Sequence, residues 1–279
     1  MRVLCLEIPE DALSAEEYHY LYNNAAGHLN IAQVWRLMDD EWERCGAGYD
    51  KDQLSAVRKF YDSPIWLLNG IFTECDTESV RHRDSIANWV AEQNPNLVVD
   101  FGGGYGALAR KIAHICPYAK VVIIEPHPTD LARRLARDYT NLSFSSELPK
   151  NSDIIIAQDV LEHLADPLAV CSSLIQATRE GGYLITANCF YPVIKCHLPS
   201  TFHFRYSFSL IIPYLGCTYI GVVPEVNHAQ IFKKASVRAV KYYRVKTLEY
   251  ISRAVFPAFD FGVSIIKPIW RLVHKHYRA

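Results

Sequence analysis

The segment Val98-Val99-Asp100-Phe101-Gly102-Gly103-Gly104-Tyr105-Gly106-Ala107 combines residue types and spacing that could do chemistry. An apolar run passes through an acid into glycines and then directly into residues at helical spacing. Glycine permits positive φ and close backbone approach. A helix N-terminus adds free N–H groups and the positive end of the helix dipole. Together they make a cradle for a nucleotide-like ligand. Gly102, Gly104 and Ala107 fit the final-alanine form of the dinucleotide fingerprint. A third glycine at 106 and an acid two residues before Gly102 fit a second pattern, D-x-G-x-G-x-G. Glu125 closes the next apolar run, where a carboxylate about 20 residues beyond the turn can accept hydrogen bonds from ribose hydroxyls. It serves either ligand. A ligand-free corner would need neither acid.

A second constellation follows the fourth apolar run. Asp159, Glu162 and His163 stand at i, i+3 and i+4, which on a helix puts them on one face. Carboxylates with one imidazole suit Mg²⁺, Mn²⁺ or Zn²⁺, and His203 could be a fourth ligand. Alternatively, His163 starts a helix and packs locally, or acts as a general base. His163, Tyr191, His203 and Tyr206 are the candidate bases or orienters near the carboxyl ends of the strands. Thr201–Tyr206 reads either as a solvated linker or as a wall on which Arg205 binds an acceptor carboxylate or phosphate. Arg81-His82-Arg83 reads as a basic turn, within reach of a ligand carboxylate.

Alternating apolar runs and helical segments position these groups. Strands are expected at Leu97–Phe101, Lys120–Glu125, Leu142–Phe144, Asp153–Gln158 and Tyr183–Asn188, the last entered by a Gly181-Gly182 turn. Helices are expected at Ala107–Ile115, at Thr129–Tyr139 and in segments through Thr178. That alternation predicts a parallel sheet covered on both faces. A helix near Phe208–Leu215 leads to strands Cys217–Val223 and Ala229–Lys233, whose short connection predicts an edge hairpin. Residues 14–92 read as mostly helical, with Ile31, Val34, Trp35, Met38 and Trp42 on one face. Their aromatics read as core, in a cap that would exclude water from an acceptor pocket. The tail from 236 reads as helix broken by Pro257 and Pro268. The division expected is a helical cap over 1–92, a nucleotide-binding unit over 93–235 and a helical extension over 236–279.

Taken in chain order, VVDFGGGYGALARKIA, VVIIEPHP, DIIIAQDVLEHLADP, GGYLITANCF and HFRYSFSLIIPYLGCTYIG resemble the class I S-adenosyl-L-methionine (SAM)-dependent methyltransferase superfamily across about residues 80–235. The resemblance implies a Rossmann-like, seven-stranded, mostly parallel sheet with a terminal antiparallel hairpin. It implies SAM as cofactor, held by Asp100, Gly102, Gly103, Gly104 and Gly106, with Glu125 on the ribose and Gln158 and Asp159 near the methionine moiety. The acid that many members carry after the third strand is replaced by Phe144-Ser145-Ser146-Glu147-Leu148, so a serine or Glu147 is left for the adenine. Metal-free members share the letters around His163, so no metal is expected, and His163, His203 and Tyr191 are the catalytic candidates. The implied activity is methylation of an O or N atom on a small-molecule acceptor. Cyclisation or aminobutyl transfer from the same cofactor, and NAD-dependent oxidoreduction, are the alternatives.

Bulk properties narrow the partners. The 279-residue chain is 50% hydrophobic with a formal charge of −1, enough for a large core and without a global basic field for nucleic acid. No apolar stretch is long enough to span a bilayer, and the N-terminus turns acidic too early for a signal peptide. The eight cysteines form no C-x-x-C pair, so reduced buried thiols in a cytoplasmic protein are expected. The basic, apolar end of the tail is expected to pack on the body of the protein, with a homodimer or membrane-surface contact as alternatives.

Overall fold

The computed structural model describes residues 1–25, 27–235, 240 and 242–275. The chain opens with a two-stranded hairpin, β1 (Arg2–Val3) and β2 (Leu6–Glu7). Five helices follow: α1 (Ala15–Asn24), α2 (Ile31–Arg44), α3 (Leu54–Tyr61), α4 (Ile65–Cys75) and α5 (Thr77–Glu92). Their starts are encoded locally. Ser14 with Glu17 and Asn30 with Gln33 form reciprocal capping boxes, and the Asp76 side chain accepts from the Ser79 N–H. Val34, Met38, Trp42, Phe60, Ile65, Leu68 and Ile71 form the core of the cap.

Alternation then begins: β3 (Leu97–Phe101), α6 (Ala107–Ile115), β4 (Lys120–Ile124), α7 (Asp130–Ala136), β5 (Leu142–Ser145), β6 (Ser152–Gln158), α8 (Pro167–Ala177), β7 (Thr178–Ala187), α9 (Phe204–Ile211), β8 (Cys217–Val223), β9 (Val226–Lys234) and α10 (Tyr242–Lys275). The main sheet runs β5-β4-β3-β6-β7-β9-β8. The first five strands pair in parallel; β9 runs antiparallel to both β7 and β8. This is the expected α/β, Rossmann-like sheet with its terminal hairpin. The central strands read as unbroken apolar runs because helices bury both faces. Ile86, Val90, Leu108 and Ile112 cover one face, and Leu168, Leu174, Phe204 and Phe208 the other. α5 therefore packs on the sheet through Ile86, Ala87 and Val90, although it follows the cap helices in sequence.

Several local expectations are corrected. Cys5 and Cys75 form a disulfide that ties the N-terminal hairpin to the end of α4, so not all thiols are free; Cys45, Cys116, Cys171, Cys189, Cys196 and Cys217 are. The partners are 70 residues apart, and no local spacing announces the pair. Arg81, His82 and Arg83 lie inside α5 rather than in a turn. β7 starts at Thr178, and the glycine pair becomes an irregularity in its pairing with β6. Thr201–Tyr206 is not a solvated linker: a 3-10 turn leads through His203 into α9.

α10 continues through Pro257 as one helix. A proline there removes a backbone hydrogen bond and crowds the preceding turn. Side-chain anchors stand on both sides of it: Ser252 and His203 before, Asp260 and Arg205 after. The tail thus packs on the body through α9, and Val245 and Leu248 join the core there. The basic end, Lys267 to Arg278, lies outside the residues whose side chains are described. Among the described residues, no helix is long and apolar enough to cross a membrane.

Candidate active site

The glycine turn links the end of β3 to α6. Gly102, Gly104 and Gly106 all adopt left-handed backbone, with φ of 70°, 48° and 80°. The glycines answer different demands. A Cβ on Gly102 would lie 2.5 Å from Val160 Cγ2, one on Gly103 2.6 Å from Asp100 Oδ2, and one on Gly106 2.9 Å from Ile123 Cδ1. These contacts point into the protein. A Cβ on Gly104 would meet only Glu125 Oε2, at 4.0 Å. Gly104 therefore faces open space, and its left-handed backbone lines a cradle.

Glu125 follows β4, the neighbour of β3 in the sheet. One of its oxygens accepts from the Gly104 N–H (3.0 Å) and the other from the His127 N–H (3.1 Å). The carboxylate thus stands across the turn from the strand beside it, as the spacing required. Asp100 lies beneath the turn, 2% exposed, with Oδ2 lacking a hydrogen-bond partner among the described residues. Burial, reinforced by the Glu125 charge, pushes its carboxyl up to about 7.

At the end of β6 the chain turns sharply. Asp159 has φ 52°, and its N–H donates to the Ala187 carbonyl of β7 (2.7 Å). Gln158 donates through Nε2 to Asp159 Oδ2 (3.3 Å), while its Oε1 is buried without a partner among the described residues. Because Asp159 is left-handed and only Leu161–His163 forms a 3-10 turn, the expected helical face of Asp159, Glu162 and His163 does not exist. The side chains that converge are Glu162, His163 and His197, whose ligand atoms lie within 4.8 Å of one another. His197 ends the irregular segment after β7, 34 residues beyond His163. Sequence reading missed it because that segment has no periodicity. The one available signal was a histidine between two apolar residues, in Cys196-His197-Leu198.

Glu162 is fully buried; one oxygen accepts from the Cys189 N–H (2.6 Å). Burial, then the Asp159 charge, raises its carboxyl to about 8. Burial, then neighbouring His197, lowers His163 to about 3, and burial also lowers His197. From the cap, Tyr61 and Trp66 stack on each other at 5.2 Å and stand edge-on to His163 at 6.2 and 5.8 Å. The cap thus supplies an aromatic wall over the turn after β6.

The remaining candidates separate from this cluster. Tyr191 is 42% exposed and lies under the Arg205 guanidinium at 3.8 Å. Arg205 is committed to Asp260 (2.7 Å) and the Phe190 carbonyl, and Tyr206 also donates to Asp260 (2.9 Å). His203 lies apart from the cluster. It is 3% exposed in the seam between α9 and α10, with Nδ1 3.0 Å from Ser252 Oγ. Burial lowers its pKa to about 4. Arg83 donates to the Thr73 carbonyl (2.7 Å), and His82 packs against His228 at 5.0 Å. Ser145, the last residue of β5, turns back on Glu147, accepting its N–H at 3.0 Å.

Residues 79–197 match the family model of a methyltransferase domain. A search of curated proteins gives no match. Among solved structures, human N-acetylserotonin methyltransferase in complex with SAM is 15% identical, with 74% of this chain and 68% of that one covered at a TM-score of 0.48. A putative O-methyltransferase from Nostoc punctiforme is 14% identical, covering 73% and 72%, with a TM-score of 0.49. A SAM-dependent methyltransferase from Aquifex aeolicus is 20% identical, covering 53% and 87%, with a TM-score of 0.42. These likenesses say nothing of the acceptor.

Proposed function

From the match of residues 79–197 to the family model of a methyltransferase domain, we propose that the chain moves a methyl group from SAM to an O or N atom of a small-molecule acceptor. One observation carries the cofactor half. Gly104 presents an open left-handed backbone to the Glu125 carboxylate, which has only backbone N–H partners to exchange for ribose hydroxyls. The cradle fits an adenosyl ligand: a carboxylate one strand over, an N–H-rich turn and a buried acid beneath it. Asp100, Gly102, Gly103, Gly104 and Gly106 hold the methionine and ribose parts, Glu125 grips the ribose, and Gln158 and Asp159 border the methionine end. Bound there, SAM supplies a methyl group on a positively charged sulfur, open to in-line attack.

The protein then has to position the acceptor and keep water out. The acceptor site lies between the turn after β6 and the cap, where Tyr61 and Trp66 meet His163. A wall of two stacked aromatics favours a flat or largely apolar small molecule. His163, edge-on to that wall, is the side chain assigned to orient the acceptor. The test is a mass-spectrometric screen of candidate phenols, amines and carboxylic acids with SAM. S-adenosylhomocysteine (SAH) formed only with an acceptor supports methyl transfer. Methylthioadenosine released from SAM alone contradicts it.

A further inference from the structure

We propose that Glu162, His163 and His197 form a binding site for one divalent transition-metal ion of the Zn²⁺, Co²⁺ and Mn²⁺ class. The side chains come from two segments, the 3-10 turn after β6 and the end of the irregular stretch after β7. Backbone bonding locks these segments together: the Leu198 N–H donates to the Glu162 carbonyl at 2.9 Å. Each side chain offers a ligand atom within 4.8 Å of the others.

The hydrogen bonds decide which atoms are free. His163 Nδ1 lies 3.1 Å from the Cys196 carbonyl, and His197 Nδ1 lies 2.7 Å from the Tyr191 carbonyl. A carbonyl only accepts, so in each ring Nδ1 carries the proton and Nε2 keeps its lone pair. This is the arrangement that orients metal-bound imidazoles and raises their basicity. Glu162 repeats the pattern: the Cys189 N–H fixes Oε1 at 2.6 Å, while Oε2 is fully buried without a hydrogen-bond partner among the described residues. Each imidazole thus keeps a free lone pair, and one ligand atom from each of the three side chains lies within 4.8 Å of the others. The unpaired, buried Glu162 oxygen is costly, and a cation held between the three side chains would satisfy it.

The donor set chooses the metal. Two imidazoles with one carboxylate suit Zn²⁺, Co²⁺ or Mn²⁺ better than Mg²⁺ or Ca²⁺, which prefer oxygen alone. Three protein ligands leave a coordination position for water or an acceptor oxygen. Only that last role rests on the methyltransferase reading; ion binding does not.

The experiment strips the full chain with a chelator and titrates it with Co²⁺, followed by visible absorption, and with Zn²⁺, followed by calorimetry. SAH affinity is measured in parallel. The expected result is one ion per chain, with ligand-field bands of a low-coordinate nitrogen and oxygen site. His197→Ala should weaken binding on the order of 100-fold or more. Glu162→Gln, which preserves side-chain shape, should weaken it similarly, and His114→Ala, on the exposed face of α6, should leave it unchanged. No Co²⁺ bands in the stripped wild-type protein would overturn the site. So would bands that survive both Glu162→Gln and His197→Ala. Because the proposed SAH cradle uses other side chains, SAH affinity reports separately on that reading.

Discussion

Gly104→Ala separates a ligand cradle from a mere chain corner. The residue has φ 48°, and a Cβ there meets only Glu125 Oε2, at 4.0 Å. The folded protein therefore loses only the left-handed strain of an alanine, about 1 kcal/mol. For a chain of this size that is a fall in melting temperature of roughly 2–4 °C. The new methyl, however, projects beside Glu125 into the space assigned to the adenosyl group. Displacing the sugar forfeits two charge-assisted hydrogen bonds at about 1.5 kcal/mol or more each. About 3 kcal/mol is a loss of more than 100-fold in SAH affinity. Gly102→Ala provides the contrast. Its Cβ would press Val160 Cγ2 at 2.5 Å from a backbone at φ 70°, so overpacking and strain together cost about 3 kcal/mol of stability. Calorimetry with SAH and thermal unfolding of both variants make the test. A Gly104→Ala protein that binds SAH within threefold of wild type would refute the cradle.

Other consequences follow from the same geometry. Glu125→Gln keeps the side-chain shape but weakens both ribose bonds, so SAH affinity should fall on the order of 10- to 100-fold with little change in melting temperature; an unchanged affinity would count against the ribose role. Asp100 has its folded pKa raised to about 7, above its ordinary value, so the folded state favours the protonated acid and stability drops as pH rises from about 4 to about 7. The ligand-free protein should therefore gain a few kcal/mol on acidification across that window, and denaturant titrations of Asp100→Asn should lose this component; an Asp100→Asn curve parallel to wild type would contradict it. The Cys5–Cys75 bridge closes a long loop between the hairpin and α4. Cys5→Ser should destabilise the non-reduced protein by about 4 kcal/mol in the chain-entropy picture, and identical unfolding curves with and without reductant would show that the bridge does not form.

The sheet was legible because its signals are local. Val98–Phe101 and Lys120–Ile124 are apolar runs that must lie between two helical layers, and the glycines after Phe101 mark a turn no other residue makes cheaply. Gly104 and Glu125 face each other in the structure because β3 and β4 are adjacent and parallel, as strand–helix alternation requires. What escaped depended on distant partners. The helical face drawn through Asp159, Glu162 and His163 failed because Asp159 bonds to Ala187, a residue of another strand, and is pulled out of helical geometry. His197 joins Glu162 and His163 only through the path of the segment after β7. His203 looked available in sequence, yet α10 folds back and buries it against Ser252. Pro257 usually ends helices, but side-chain anchors on both sides of it keep α10 continuous.

A crystal structure of the chain with SAH tests the cofactor assignment most directly. The adenosyl group is expected between the Gly102–Gly106 turn and Glu125, with the Glu125 carboxylate released from the Gly104 N–H and both its oxygens on the ribose hydroxyls. Density for SAH away from this turn, or a ribose that Glu125 does not touch, would contradict the account.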